Sequence, residues 1–330
     1  MAYKLDTSRL EKGDIILIRD LKDSVSRRVM ETTSSNYSHA MFYATQSSVI
    51  EASNIVQSSN TQGIIIENPD DVLVLRLKDM PCRENIIIKA EQYVRNMIGM
   101  SYAWRDAKKI ADKIEDPEKE ENRQLCTRLV AEAFQSGGVN LVNDIKFPVC
   151  NDLENSEYLE KVESVLLHAT EDDVKFANEI KNGLIHKQAK ITAGVLSEAR
   201  KLFGADIQNF NQLTEASYTD PQKAPILVKI IENSGYLTLW KEEMEANPYW
   251  YDVKLFKENF QEDSLAVAIA HLPTAIDIRN NYAIMLLTLI NTESSSGQND
   301  YIDLIIDLYR QLWEIAKIRV RVCEEIIIGA

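Results

Sequence analysis

Residues 38–51 read SHAMFYATQSSVIE, and this stretch decides the fold of the first half of the chain. Two short runs of strand-forming residues flank a tight polar loop, which predicts a β-hairpin. With the loop centred on Thr45, Glu51 lies directly opposite His39, and the two side chains share one face of the hairpin. A carboxylate is therefore predicted within reach of an imidazole.

Strand and helix signals on both sides of the hairpin predict an α+β domain with a small antiparallel sheet. Gly13-Asp14 opens an apolar strand, and Asn68-Pro69-Asp70 is a turn between two further strands. A helical period ends at Gly99, and the charged stretch 112–123 is expected to be an exposed connection. The predicted strands are 15–18, 38–43, 48–51, 63–66 and 72–77, and the predicted helices are 24–30, 86–98 and 124–134.

The sequence changes character after about Glu171, where strand signals stop. Apolar residues at helical spacing then continue towards the end of the chain, interrupted by proline and serine–glycine breaks. We therefore expect an α+β domain over 1–168 and an all-helical domain over 169–330. The clearest helical segments are 191–203, 226–231, 265–269 and 301–327.

Composition limits the partners of the protein. The 330 residues carry a formal net charge of −14, which argues against nucleic acid or an anionic membrane surface, because both select basic patches. The longest apolar run, 283–290, falls far short of the roughly 18 residues that span a bilayer, so no integral membrane segment is expected. The polar start of the chain is unlike a secretory signal, so none is expected. We expect a cytoplasmic protein, or one delivered by a secretion system that needs no signal peptide.

Cysteine supplies the strongest candidate for chemistry. The cysteines are scattered without the spacing of a metal site or a disulfide framework, and no metal or other cofactor is expected. Only Cys126 begins a predicted helix, where unpaired N–H groups and the helix dipole stabilise a thiolate. The same N–H groups can donate to a developing oxyanion. The four cysteines are Cys82, Cys126, Cys150 and Cys323.

His39 is the histidine best placed to act on such a thiol, because it starts a short apolar strand beside a loop. An imidazolium near Cys126 would lower the pKa of the thiol further. Glu51 would accept the second imidazole N–H and fix the tautomer. In other hairpin registers, Ser53 or Asn54 takes the place of Glu51.

Five short motifs resemble one family in their order and spacing. Residues 10–165 look like the circularly permuted branch of the NlpC-type papain-like hydrolases, the YiiX-like group. In that group a Gly-Asp strand is followed by a Ser-His motif, an acidic motif, a Gly…Tyr element and a Cys-Ser or Cys-Thr helix start. The charged stretch before Cys126 departs from the pattern as an insertion, and Thr127 stands where serine is common. The matching segments are 13–17, 37–40, 49–52, 99–104 and 125–130.

The resemblance implies a circularly permuted papain-like fold and a cysteine hydrolase. Cys126 is then the nucleophile, His39 the general base and Glu51 the orienting residue. The expected substrate is a peptide or acyl amide, such as a cell-wall muropeptide, cleaved through an acyl-enzyme. The residues expected to contact it are Tyr37, Ser38, Tyr102 and Trp104.

Two alternatives remain open from the sequence. One is a lipid acyltransferase or thioesterase similar to lecithin:retinol acyltransferase, with a cleft lined by Tyr37, Phe42, Tyr102 and Trp104. The other is a binding module without catalysis, in which the helical half does the work. In each case the helical half is expected to offer a surface for a protein partner.

Overall fold

The computed structural model describes residues 2–45, 48–114, 118–180 and 183–329. Close contacts divide the chain into two compact units. The first comprises Met1–Leu196 and Ala205–Asn211, and the second comprises Ser197–Gly204 and Gln212–Ala330. The domain boundary expected near residue 168 remains a prediction.

Strands occur only in the first unit within the described ranges. They are β1 Tyr3–Leu5, β2 Ile15–Ile18, β3 His39–Thr45, β4 Ser48–Ala52, β5 Val56–Asn60, β6 Ile65–Ile66, β7 Val72–Leu77, β8 Leu159–Lys161 and β9 Leu166–His168.

Helices pack against these strands in the first unit and make up the second. They are α1 Ser24–Thr33, α2 Arg83–Asn96, α3 Trp104–Asp112, α4 Cys126–Ser136, α5 Cys150–Glu154, α6 Glu171–Ile180, α7 Leu184–Phe203, α8 Phe210–Thr219, α9 Ala224–Ser234, α10 Leu239–Ala246, α11 Val253–Phe260, α12 Ser264–Ser296 and α13 Asp300–Ile328.

The strands form two antiparallel sheets. The larger has the order β5-β4-β3-β2-β7-β8, and the smaller has the order β6-β1-β9. The predicted α+β class, with an antiparallel sheet followed by a helical C-terminal region, is confirmed.

The larger sheet is buried on both faces, since successive side chains point to opposite sides of a strand. Leu17 and Phe42 face a core shared with α2 and α4, in which Phe42 lies 6.1 Å from Phe134 between ring centroids. Ile16 and Met41 face a second core that includes residues of the smaller sheet. This two-sided burial explains why β2 reads as a continuous apolar run.

The second unit is built around α12 and α13, which pack along each other. Phe256 and Cys323 belong to its apolar core. Asn299 caps α13: its side-chain oxygen accepts the N–H of Tyr301 at 3.0 Å, and its amide donates to the Ser217 carbonyl at 3.0 Å. None of the described helices is both long enough and apolar enough to cross a membrane.

The elements of the structure differ in places from those predicted. The strand predicted over 63–66 is reduced to Ile65–Ile66, because the Asn60 side chain accepts the Gln62 N–H at 2.8 Å and caps a 3₁₀ turn over Thr61–Gly63. The helix α3 was not predicted. Part of the connection expected over 112–123, residues 115–117, lies outside the described residues.

Gly99 combines a positive φ of 96° with a close approach of the chain. A Cβ there would lie 2.2 Å from Leu196 Cδ1 and 3.1 Å from the Gln208 carbonyl oxygen. We expect Gly99→Ala to lower the free energy of unfolding by about 1–3 kcal/mol, measured by urea denaturation.

Gly138 is the matched control, because its φ is 97° and a Cβ there would meet nothing within 4 Å. Gly138→Ala therefore carries the backbone strain without the overlap and should destabilise less. Equal losses in the two variants would contradict the role assigned to the close approach at Gly99.

Candidate active site

Cys126 is the first residue of α4 and is buried. The preceding residue, Leu125, has an extended backbone, so the chain turns into the helix at the cysteine. The apolar face of α4 packs against β3 and β4. The hydroxyl of Thr127 donates to the Pro148 carbonyl at 2.6 Å and fixes the first turn from outside the helix. The thiol is thus held at a helix N-terminus, as the sequence predicts.

His39 bridges the cysteine and the carboxylate. Its Nε2 lies 2.6 Å from Glu51 Oε2. The imidazole also hydrogen-bonds the Cys126 side chain. One ring therefore connects the start of β3, the second half of β4 and the start of α4.

Glu51 is held ionised by its neighbours. The hydroxyl of Ser59 donates to Glu51 Oε1, and the Gln57 side chain adds a further hydrogen bond. Burial alone would raise the pKa of Glu51, but the hydrogen bond and charge of His39, together with Ser59 and Gln57, outweigh burial and lower it. A carboxylate next to His39 favours the imidazolium form.

The hairpin register differs from the expected one by two residues. Glu51 pairs with Met41 across β3 and β4, not with His39, and the ladder is irregular between Tyr43 and Thr45. The pairing continues as far as Thr45 and Ser48, so the hairpin is centred beyond Thr45 and the strands are offset from the predicted register. Because the register is shifted by an even number of residues, the Glu51 side chain stays on the same face of the sheet as His39. The two side chains meet diagonally across β3 and β4.

Burial disfavours the charged forms of both His39 and Cys126. Burial alone would lower the pKa of His39 and raise the pKa of Cys126. Their mutual attraction and hydrogen bond act against that penalty, and together with the neighbouring groups they outweigh it. With the added effect of Glu51, the pKa of His39 rises to about 10. The pKa of the Cys126 thiol falls below its ordinary value, helped by the backbone N–H groups of Ala40 and Thr127. The arrangement favours a thiolate–imidazolium pair at neutral pH.

Tyr102 lies beside the sulfur, and Trp104 lies beside Tyr102. Burial is the main cause that raises the pKa of Tyr102, followed by the charge of Cys126, to which its hydroxyl is hydrogen-bonded. The ring centroids of Tyr102 and Trp104 are 4.8 Å apart, and Trp104 is 61% exposed. An exposed aromatic surface therefore leads to the thiol.

The other residues expected to contact substrate have different surroundings. Tyr37 is buried, with the Arg19 guanidinium 5.9 Å from its ring centroid. The Ser38 hydroxyl lies 2.6 Å from the hydroxyl of Ser26 on α1. Phe42 is fully buried in the core, so the idea that it lines a cleft is wrong.

The other cysteines differ from Cys126 in exposure or charge. Cys150 begins α5 and is buried; burial, and then the charge of Cys126, raise the pKa of its thiol and keep it neutral. Cys82 is exposed, and Cys323 is buried in the core of the second unit.

A cavity of about 750 Å³ reaches Glu51, the carboxylate of the Cys126–His39–Glu51 group. Glu51, Gln57 and Ser59 form part of its wall, and Ile180 and His186 also line it. Sequence reasoning did not find Ser59 and Gln57, because their roles depend on the pairing of β4 with β5. In that pairing Gln57 lies opposite Glu51.

Comparisons with known proteins give little further information. No protein-family model matches the chain, and no curated protein matches it. Among solved structures, the chain is similar to the metalloprotein yiiX from Escherichia coli O157:H7, with 17% sequence identity and a TM-score of 0.36. The match covers 47% of this chain and 97% of that one. Within the ranges that the structure describes, no group of three or more His, Cys, Asp or Glu side chains is arranged to hold a metal ion.

Proposed function

We propose that the protein is a cysteine hydrolase that cleaves an amide bond, with Cys126 as nucleophile, His39 as base and Glu51 as orienting residue. The observation that supports this proposal is the single imidazole hydrogen-bonded to a carboxylate on one side and to a helix N-terminal thiol on the other. An imidazole so placed activates a thiol and holds the charge that results.

The proposed reaction begins with attack of the Cys126 thiolate on a carbonyl carbon. The resulting oxyanion accepts hydrogen bonds from backbone N–H groups at the start of α4. The Tyr102 hydroxyl, which is hydrogen-bonded to Cys126, is the second donor in this scheme. The His39 imidazolium then protonates the leaving nitrogen, the amine departs, and a thioester to Cys126 remains.

Water completes the cycle in this scheme. Neutral His39 takes a proton from water, whose oxygen attacks the thioester carbonyl. Collapse of that intermediate releases the carboxylic acid and regenerates the thiolate and the imidazolium. Glu51 keeps the ring in one orientation and stabilises its positive charge in both halves of the reaction.

We also propose that residues 10–165 form a papain-like domain in circularly permuted order. In this chain the base and the orienting residue, on β3 and β4, precede the nucleophile on α4. That order is the one that the resemblance to the YiiX-like group implies. Peptide amides of muropeptides are the substrate class that the same resemblance favours.

An acyltransferase is the second candidate, and exposed Trp104 supports it. An acyl chain gains from contact with an exposed aromatic ring next to the thiol, where Trp104 lies against Tyr102. In that case the thioester passes its acyl group to an acceptor other than water.

The test is incubation of the full chain with muropeptides and, separately, with phospholipid vesicles, followed by mass spectrometry of the products. We expect new amine and carboxylic acid ends in the muropeptides, lost in Cys126→Ser. Acyl transfer from the phospholipids would favour the second candidate. No conversion of either, combined with an unreactive Cys126 thiol, would favour a binding module.

A further inference from the structure

Arg128 lies two residues after Cys126 in α4, and its side chain is completely buried. Its partner is Asp106 on α3, also completely buried, with Nη1 at 2.7 Å from Asp106 Oδ2. Arg128 also donates to the Lys146 carbonyl at 3.0 Å and to the Arg123 carbonyl at 2.8 Å. A guanidinium with several donors in a fixed fork can hold several segments at once.

Asp106 extends this network to the charged stretch of the sequence. Its two carboxylate oxygens accept the backbone N–H of Glu120 at 3.0 and 2.9 Å. Residues 118–123, expected to be a solvated connection, are therefore attached at one end to Asp106 and at the other to Arg128. The buried pair fixes the path by which the chain enters α4.

The same path also positions Tyr102. Gln124 accepts from Arg128 Nε through its side chain at 3.4 Å. Its backbone N–H donates to the Ser101 carbonyl at 3.0 Å, and its carbonyl accepts the Ala103 N–H at 2.8 Å. The two neighbours of Tyr102 are thus bonded to the residue that Arg128 holds.

We propose that Asp106 and Arg128 are a positioning pair, which sets the place of the Cys126 sulfur and the Tyr102 hydroxyl relative to His39. This inference rests on the proposed function, because it assigns the pair a role in that reaction. Neither residue touches the reacting atoms. They act by holding the segment 118–125 and the start of α4.

A buried ion pair contributes little net stability compared with apolar side chains of similar size. A purely structural pair should therefore be replaceable by an apolar one with little loss. A positioning pair should not be, because methionine and leucine offer no donors or acceptors to Glu120, Arg123 and Lys146. The double variant Asp106→Leu/Arg128→Met separates the two roles.

The matched control is Asp14→Leu/Arg76→Met, in the same unit. Asp14 is also completely buried, and Arg76 donates to both of its carboxylate oxygens at 2.8 Å and to the Arg9 carbonyl at 2.8 Å. Asp14 directly precedes β2, whose other end, Ile18, pairs with His39. The control pair therefore lies at the end of the strand remote from the site.

The readout is the rate of alkylation by iodoacetamide across the pH range, read at Cys126 by mass spectrometry in a full-length Cys82→Ser background. Apart from each other, Cys126 and Tyr102 have three titratable neighbours that change the pKa of one or the other: His39, Cys150 and Arg128. We expect the midpoint of the alkylation profile to rise by about one pH unit or more in the site variant. The control should keep the wild-type midpoint, whatever its thermal stability.

Arg128→Lys keeps the positive charge but loses the several N–H donors of the guanidinium. This variant replaces the double variant in the test if the double variant does not fold. We expect it to raise the midpoint by a smaller amount, with the melting temperature measured in parallel. A wild-type midpoint in a folded site variant, or the same rise in the control, would overturn the positioning role. A wild-type protein whose Cys126 titrates as an ordinary thiol would instead contradict the proposed function itself.

Discussion

Replacing His39 by alanine is expected to slow alkylation of Cys126 at about pH 6 by at least tenfold. The imidazolium is the main charge that favours the thiolate; its charge and hydrogen bond, together with the backbone N–H groups of Ala40 and Thr127, outweigh the burial that opposes it. Without it the buried sulfur is protonated at this pH, and a thiol is a poor nucleophile. The measurement is the pseudo-first-order rate with iodoacetamide, read at Cys126 by mass spectrometry.

His168→Ala is the control for this variant. His168 is in the first unit, on β9, where its ring lies 4.9 Å from that of Tyr3. Its loss removes an imidazole without touching the Cys126 site, so the rate should stay at the wild-type value. A His39→Ala protein that is alkylated as fast as wild type would reject the ion pair and favour the binding module.

Glu51→Gln is expected to reduce substrate turnover by about 10²- to 10⁴-fold while leaving the fold intact. Glutamine has nearly the same shape but no charge, so it no longer stabilises the imidazolium. It can also present its NH₂ group to Nε2 and select the wrong tautomer. The pKa of His39 should fall towards its ordinary value, because the Glu51 carboxylate is one of the groups that raise it.

The measurement is turnover of whichever substrate the product screen identifies, together with the alkylation profile of Cys126. Glu160→Gln is the matched control, since Glu160 is an exposed residue of β8 in the same sheet. Turnover within about twofold of wild type in Glu51→Gln would show that the carboxylate does not orient the base. We expect turnover to fall in Glu51→Gln and to stay near the wild-type value in Glu160→Gln.

The sequence predicted the features of this site that depend on local pattern. The hairpin over residues 38–51 brings His39 and Glu51 to one face because the side-chain period of a strand is two, and an even error in register does no harm. Cys126 at a helix start follows from the apolar spacing after residue 124. The α+β class follows from strands confined to the first half.

Features that depend on distant pairing could not be predicted in the same way. Ser59 reaches Glu51 only because β5 pairs with β4, and no residue type in Gln57–Asn60 marks that register. The sequence of α3 is rich in charge and resembles an exposed connection. Its Asp106 is nevertheless completely buried, because Arg128, 22 positions later, neutralises it.

Arg128 is the clearest example of this limit. Arginine in the first turn of an amphipathic helix normally faces solvent. Here three carbonyl or amide oxygens and one carboxylate surround the guanidinium, and they come from three separate parts of the chain. Only the assembled fold reveals that arrangement.

The most direct test of the thiolate–imidazolium pair is a pH titration of the thiolate ultraviolet absorbance, taken as the difference between the wild-type protein and Cys126→Ser. The pKa of Cys126 is lowered and that of His39 is raised to about 10, so the pair is charged between the two values. As pH falls through the lower value, the thiolate is protonated; as pH rises through about 10, the imidazolium loses its proton. We expect the thiolate signal of Cys126 to be present at about pH 7 and to disappear only in more acidic solution. A signal that appears only at or above the ordinary pKa of a thiol would contradict the account.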